Sequence, residues 1–500
     1  MSNETHSSET DSHLARGLGL LDATALVIGS MIGSGIFIVS AESARVLGSP
    51  GWLLVAWALA GLLTVTGAIS SGEVAAMMPH AGGQYVILRE TYGKPIGFLF
   101  GWAMFLVIQT GTIAAVAVAF AKFLGVFFPS VSDTAYLIQP IVLGPYALSV
   151  STQQLVAIGV ITALTFFNTR GLRTGALIQN TFTITKTVAL IGLIVIGFIG
   201  TNKAGAAFTS SWWNPSANGW SLESADKGIA SLGLAGGLAF VMLLGRSMIG
   251  PLFSQTAWNS VTFTGAETRN PERVLPRALM LGTTSVVMLY LLANVGYIFT
   301  LPLDQIQNAD QDRVGTATMG AVLGSLGVKL MAAAILISTF GCVNGLVLAG
   351  ARVYYAMAAD GLFFRKIATT NKQHVPAAAL IAQCVWACVL TLPRTVQREG
   401  STLKFGNLYG DLLAYIIPAD LTFYILLVGA VMVLRRTRPE LPRPYKTPAY
   451  PIPPLIYVTL AVLLIIDLLI VAPTTSGLGF AIVLTGIPVY WLWTRGRAKV

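Results

Sequence analysis

Twelve apolar stretches recur along this chain, each long enough to cross the hydrocarbon core of a bilayer at about 20 helical residues. They run near residues 22–47, 52–76, 96–126, 152–169, 174–199, 233–262, 276–300, 324–357, 375–391, 405–433, 452–472 and 477–494. None alternates apolar and polar residues as the strands of a membrane barrel do. Only 10% of residues are charged, against about 25% in soluble domains, so a large soluble enzyme is excluded. The expected class is an all-α integral membrane protein with twelve transmembrane helices.

Lysine and arginine set the expected orientation. Arg89, Lys94, Arg170, Arg173, Arg269, Arg273, Arg277, Arg365, Lys366 and Lys372 fall in connections on one side, with the run from Arg435 to Lys446. The other side holds Lys203, Lys227, Arg313, Arg394, Arg398 and Lys404. Both chain ends are therefore expected in the cytoplasm. Residues 1–21 form a tail without the basic start and small-residue cleavage site of a signal peptide. The net charge of +10 reads as membrane orientation rather than nucleic-acid binding.

Catalytic and metal-binding patterns are missing from the sequence. His6 and His13 lie in the tail, His80 and His374 in connections, and none at membrane depth. Cys342, Cys384 and Cys388 sit in apolar runs without ligand spacing and read as buried thiols. No GxxxxGK[ST] loop for ATP is present. An embedded enzyme lacks its constellation, and a channel lacks a filter ring or continuous polar path. No cofactor and no metal are expected.

Two spans are weakened in the middle. The first reads LVIGSMIGSGIF over residues 26–37, and its break is expected around Gly33-Ser34-Gly35. The sixth carries Gly250-Pro251 and then Phe253-Ser254-Gln255-Thr256-Ala257. A break exposes backbone N–H groups at one end and carbonyls at the other. In lipid these must face protein, water or ligand. Paired Gly/Pro interruptions at matching places in two halves point to an inverted-repeat transporter; packing of small residues is the simpler alternative. A zwitterionic amino acid suits the pair, its carboxylate on the Gly33–Gly35 amides and its ammonium on carbonyls near Met31, Phe253 and Ser254.

These residues also carry a resemblance. VIGSMIGSGIF (27–37), GSPG (48–51), AAMMPHAGGQYVILRETYG (75–93), FSQTAWNSVTFTGAETRNPERVLPRA (253–278) and GCVNGLVLAGARVYYAMAADG (341–361) resemble the amino acid–polyamine–organocation transporter superfamily, closest to its L-type amino acid transporter branch and bacterial relatives. The resemblance implies a five-plus-five inverted repeat of LeuT-like fold with discontinuous helices one and six. Residues 22–199 and 233–433 would be the halves and 200–232 an extracellular loop. Residues 434–451 would be a basic, proline-rich cytoplasmic loop on the inner headgroups, 452–494 two added helices, and 495–500 a cytoplasmic end. It implies carboxylate binding by Gly33, Ser34 and Gly35. Amine binding would come from carbonyls of Met31, Phe253, Ser254 and Thr256, with the Phe253 ring as a lid and Asn259 steadying the broken helix. Ile32, Ile36 and Gln255 complete the expected substrate-binding set.

Gln255 and Thr256 depart from many relatives and narrow the expected pocket. Small neutral amino acids such as alanine, serine and threonine are therefore expected, by sodium-independent exchange, with proton-coupled symport as the alternative. Lys186, within the fifth span, takes by resemblance the place of a sodium ion and would hold helix one against helices five and eight. It either carries a coupling proton or stays charged. Arg246 faces an outer vestibule or reaches headgroups, and Lys122 and Lys329 snorkel near span ends. Glu267, Arg269, Glu272, Arg273 and Arg277 resemble an inner gating network with Arg89, Glu90 and Asp360. The expected partners are substrate and lipid. No obligatory protein partner is expected, because the loop near 131–150 has no cysteine to link one. The expected location is the plasma membrane, a bacterial inner membrane.

Overall fold

The structure, a computed structural model, describes residues 17–79, 83–170, 175–200, 211–371, 375–399 and 402–495. His6, His13, Arg16, His80, Arg173, Lys203, Lys372 and His374 lie outside the described residues. The helices that build the bundle are α1 (Leu20–Met31), α2 (Ser40–Leu47), α3 (Pro50–Met77), α4 (Gly83–Tyr92), α5 (Lys94–Leu124), α6 (Thr152–Thr169) and α7 (Gly175–Ile199). They continue as α8 (Gly236–Ser254), α9 (Pro271–Thr300), α10 (Val314–Ala359), α11 (Ala377–Leu390), α12 (Leu408–Thr437), α13 (Ile452–Val471) and α14 (Ser476–Arg495).

Among the described residues, nine helices are long and apolar enough to cross a membrane, and α1 and α11 are shorter apolar helices. The chain is a multi-pass helical membrane protein. α9 lies along α3 and α1, and α10 along α7 and α5, so the long helices interlock. The first expected span is two helices, with residues 32–39 between them and a short 3-10 turn at Gly35–Phe37. The eighth expected span began at 324, and there the chain does turn. Gly324 has φ +63°, which costs glycine little, and residues 314–323 form a separate arm of α10.

Irregular backbone inside the bundle is met by side chains, as a lipid surround requires. α5 contains a π-turn at Met104–Ile108. The Tyr354 hydroxyl donates to the Met104 carbonyl at 3.1 Å. Trp386 Nε1 and the Tyr415 hydroxyl donate to the Leu106 carbonyl at 2.8 and 2.9 Å. One widened turn thus anchors α10, α11 and α12. Pro418 inside α12 cannot donate to the Ala414 carbonyl. Ser476 Oγ donates to it instead, at 3.0 Å.

One end of the bundle carries a small antiparallel sheet in the order β1 (Tyr136–Leu143), β2 (Tyr146–Ser151), β3 (Pro393–Glu399), β4 (Thr402–Phe405). The helical class describes the bundle, and the sheet is an addition that joins two distant connections, with Ala147 opposite Arg394.

At the opposite end, Glu73 of α3 is 1% exposed. Arg435 grips it through two nitrogens at 2.8 and 2.6 Å, the Thr447 N–H donates at 2.7 Å, and Arg443 stands 3.5 Å away. The basic loop after α12 was expected to lie on headgroups. Two of its arginines turn inward instead, because a buried carboxylate there needs cations. Glu73→Gln is expected to lower stability by about 2 kcal/mol, less than for a fully enclosed pair because Arg435 remains partly exposed. The check is the thermal midpoint of the detergent-purified protein, and an unchanged midpoint refutes it.

Gly17 and Leu18, expected in a free tail, are also tied down. Both N–H groups donate to the Glu267 carbonyl, at 3.0 and 3.1 Å, and the Arg269 N–H donates to the Leu18 carbonyl at 2.9 Å. The start of α1 is thereby joined to the chain that follows α8.

Candidate functional site

The two interruptions meet. α1 stops at Met31, and the Ile32 N–H makes its last helical bond to Ile28. Beyond it, the carbonyls of Ser30, Ile32 and Gly33 accept no hydrogen bond among the described residues, and the N–H groups of Ser34, Gly35 and Ile36 donate none. α8 ends at Ser254, and the chain is non-helical over Gln255–Ala257 before a 3-10 segment, Trp258–Glu267. Ala257 has φ +65°, a conformation that persists only where surroundings impose it. Its N–H donates to the Tyr424 hydroxyl at 3.3 Å.

Glycine decides how close the breaks come. A Cβ on Gly35 would stand 2.1 Å from Ser254 Oγ. A Cβ on Gly33 would meet nothing nearer than the Met31 carbonyl, at 3.9 Å. Gly35 is therefore a contact between the two broken helices. Gly33 is the place where a ligand can approach bare backbone.

The other expected residues surround this point. Ser34 Oγ and the Tyr409 hydroxyl are 3.0 Å apart. Ile32 and Ile36 are fully buried. The Phe253 ring meets Tyr409 edge-on, with centroids 6.2 Å apart. Ser254 Oγ donates to the Gly250 carbonyl at 2.8 Å. Gln255 Nε2 reaches the Trp57 carbonyl at 3.4 Å while its Oε1 has no donor. Asn259 donates to Gln84 and accepts from Tyr424 at 3.0 Å, which ties the 3-10 segment to α4 and α12. The Lys186 ammonium, 3% exposed, donates to the Gly29 carbonyl.

Two of the carbonyls expected to hold the amine are not free. Met31 accepts from the Tyr290 hydroxyl at 2.9 Å. Phe253 accepts from the N–H and hydroxyl of Thr256, at 3.2 and 2.8 Å. The second lone pair on the Met31 oxygen remains. The Ser254 and Thr256 carbonyls accept nothing among the described residues.

Sequence reading missed the residues that line α1's break from outside it. Tyr290 and Tyr297 of α9 donate to the Met31 and Ile36 carbonyls, the latter at 3.1 Å. Asn294 accepts from Ser40 Oγ at 2.6 Å. The three are spaced i, i+4, i+7, one helix face, and that spacing was the available signal. Tyr409 touches both Ser34 and Phe253, and offered no local signal.

The charged residues divide differently from expectation. Lys122 does not snorkel. It is 5% exposed, 3.7 Å from Asp312 and 5.9 Å from the Tyr409 ring centre. Arg45 pairs with Asp312 at 2.8 Å, and Asn407 donates to Asp312 at 2.6 Å. Arg246 pairs with Asp226 and lies 3.7 Å from Glu42. Burial pushes the Asp312 carboxyl up, but Lys122 and Arg45 outweigh it and hold the group below its ordinary range. These contacts cluster toward the sheet end. At the other end Asp360 accepts from Arg89 and from Tyr85 at 2.7 Å, and Arg89 pairs with Glu90. Glu267, Glu272, Arg273 and Arg277 make no ion pair with that group. Lys329 is exposed.

The sequence profile of a family described as amino acid permease matches residues 18–493. A human relative, "Large neutral amino acids transporter small subunit 2", is 28% identical over 97% of this chain and 82% of its own length. The "Serine/threonine exchanger SteT" of Bacillus subtilis is 27% identical over 98% of this chain and 99% of its own. The mouse "Asc-type amino acid transporter 1" is 26% identical over 97% of this chain and 82% of its own.

Proposed function

The chain belongs to the amino acid permease family and is a secondary-active amino acid transporter, and from that premise we propose that it exchanges small neutral L-amino acids, such as alanine, serine and threonine, by sodium-independent alternating access. The observation that carries this reading is the meeting of unbonded amides at Ser34–Ile36 with unbonded carbonyls at Ser254 and Thr256, beside the open face of Gly33. Free N–H groups favour an anion, and free carbonyls favour an ammonium. One ligand carrying both charges at its head satisfies both ends. The preference for a short side chain rests on Gln255 and Thr256, whose side chains narrow the pocket in this reading. The relative whose whole length aligns is named as an exchanger, which supports antiport over net uptake.

The frame is a twelve-span, five-plus-five inverted repeat with halves at 22–199 and 233–433. The sheet lies outside and both termini inside the cytoplasm, in a bacterial inner membrane. Lys186 takes a structural or coupling role at α1, and Phe253 covers the substrate against Tyr409. No second protein chain is needed.

Counterflow tests this. Proteoliposomes preloaded with serine should take up labelled serine faster than empty ones, without sodium. Serine blocked at either the amino or the carboxyl group should not compete. Competition by a blocked derivative would defeat the two-ended site. Uphill uptake into empty vesicles on a pH gradient would replace exchange with proton symport.

A further inference from the structure

Beside the non-helical segment after α8 lies a cavity of about 20 Å³, room for one water. Thr64 of α3, Gln255 and Thr256 of the break, Asp420 and Tyr424 of α12, and Tyr457 of α13 contribute to its wall. Asp420 is 8% exposed and has no ion pair or hydrogen bond among the described residues. Three of the possible donors are committed elsewhere. The Tyr424 hydroxyl serves Asn259, the Thr256 hydroxyl serves the Phe253 carbonyl, and Gln255 Nε2 serves the Trp57 carbonyl. The Thr64 hydroxyl faces the cavity from α3 and the Tyr457 phenol from α13, and no lysine, arginine, histidine or second carboxylate lines it. Gln255 Oε1 is a second buried acceptor without a donor.

Asp420 and Gln255 thus both line one small space. An ionised carboxylate is acceptor-only, whereas a protonated one also donates. A lone carboxylate at membrane depth is costly unless something compensates it. A hard metal cation wants about six oxygen ligands, more than this wall has uncommitted. A proton needs no such shell. Placed on Asp420, it neutralises the carboxyl and supplies an O–H donor to the cavity.

We propose that Asp420 is a proton-binding site that loses and regains its proton in each transport cycle. This rests on the alternating-access reading above. While the cavity is closed, the carboxyl holds its proton. When the segment 255–257 withdraws to release substrate, water enters, and the O–H bond breaks to leave a carboxylate and a hydronium ion. Reclosure takes a proton back from a hydronium ion, which returns to water. Gln255 belongs to both the substrate wall and this cavity, so the two occupancies are linked through one side chain.

The test is serine exchange in proteoliposomes at matched internal and external pH. Across about three pH units around neutrality, the wild-type rate should change by on the order of tenfold. Asp420→Asn, which keeps the shape, should still exchange but with a flat profile. Asp420→Glu should keep a dependence with a displaced midpoint. An Asp420→Asn profile that follows wild type, or a flat wild-type profile, overturns the proposal. Wild type that fails to exchange at any pH sinks the exchanger reading and this one with it. If Asp420→Asn exchanges too slowly to profile, proton uptake or release on serine binding to purified protein in weak buffer decides. It should vanish in the variant, and persistence at the wild-type level overturns the proposal.

Discussion

Lys186→Ala is expected to slow amino acid exchange by roughly 10- to 100-fold while leaving the amount of protein in the membrane near wild type. The ammonium of Lys186 donates to the Gly29 carbonyl, two residues before α1 ends. A hydrogen bond from a charged group contributes about 1.5–3 kcal/mol, and about 1.4 kcal/mol corresponds to tenfold. Removing it frees the last turn of α1 to shift, so the Gly33–Ile36 amides lose their fixed aim. Insertion should survive, because the surrounding run remains apolar and α7 still packs on α10. Lys186→Met, which keeps the stem, separates lost charge from lost packing and should be nearly as slow. Wild-type exchange by either variant in proteoliposomes would remove Lys186 from the mechanism.

Gly35→Ala should damage exchange strongly. Its Cβ would fall 2.1 Å from Oγ, 2.9 Å from Cβ and 3.2 Å from Cα of Ser254. Forcing such overpacking costs about 1–3 kcal/mol. Here the displaced parts are the two breaks themselves, so exchange should drop by on the order of tenfold to a hundredfold. Ser254→Gly in the same chain removes the two nearest atoms and should restore part of the rate, a coupling that a double-mutant cycle reads directly. Gly33→Ala is the contrast. With open space around its Cβ, the thermal midpoint should hold while apparent affinity for serine falls. Equal damage from both alanines, in rate and in midpoint, would mean that Gly35 is ordinary packing.

The parts of the site legible in sequence were those with a local signature. Gly33, Gly35 and Pro251 stand out because such residues weaken a helix wherever they occur, and both breaks fall where they were expected. Lys186 stood out because ammonium groups are rare at membrane depth. The partners of these groups had no such mark. Ser34 meets Tyr409 across 375 positions, and tyrosine in an apolar span is common. Lys122 was misread because its counter-charge comes from Asp312, on a turn whose positive φ of 61° nothing nearby announces. The sheet escaped because β2 pairs with β3 across more than two hundred positions, with Ala147 opposite Arg394. Asp420 could have been singled out, as the one carboxylate in the run 405–433 apart from Asp411 near its start. Attention to the breaks alone passed over it.

The bonds from Gly17 and Leu18 to Glu267 and from Arg269 to Leu18 act as a yoke. Because of them the beginning of one interrupted helix and the continuation of the other must travel as a unit at that end. A tether fastened ahead of Gly17 would consequently pull on both at once.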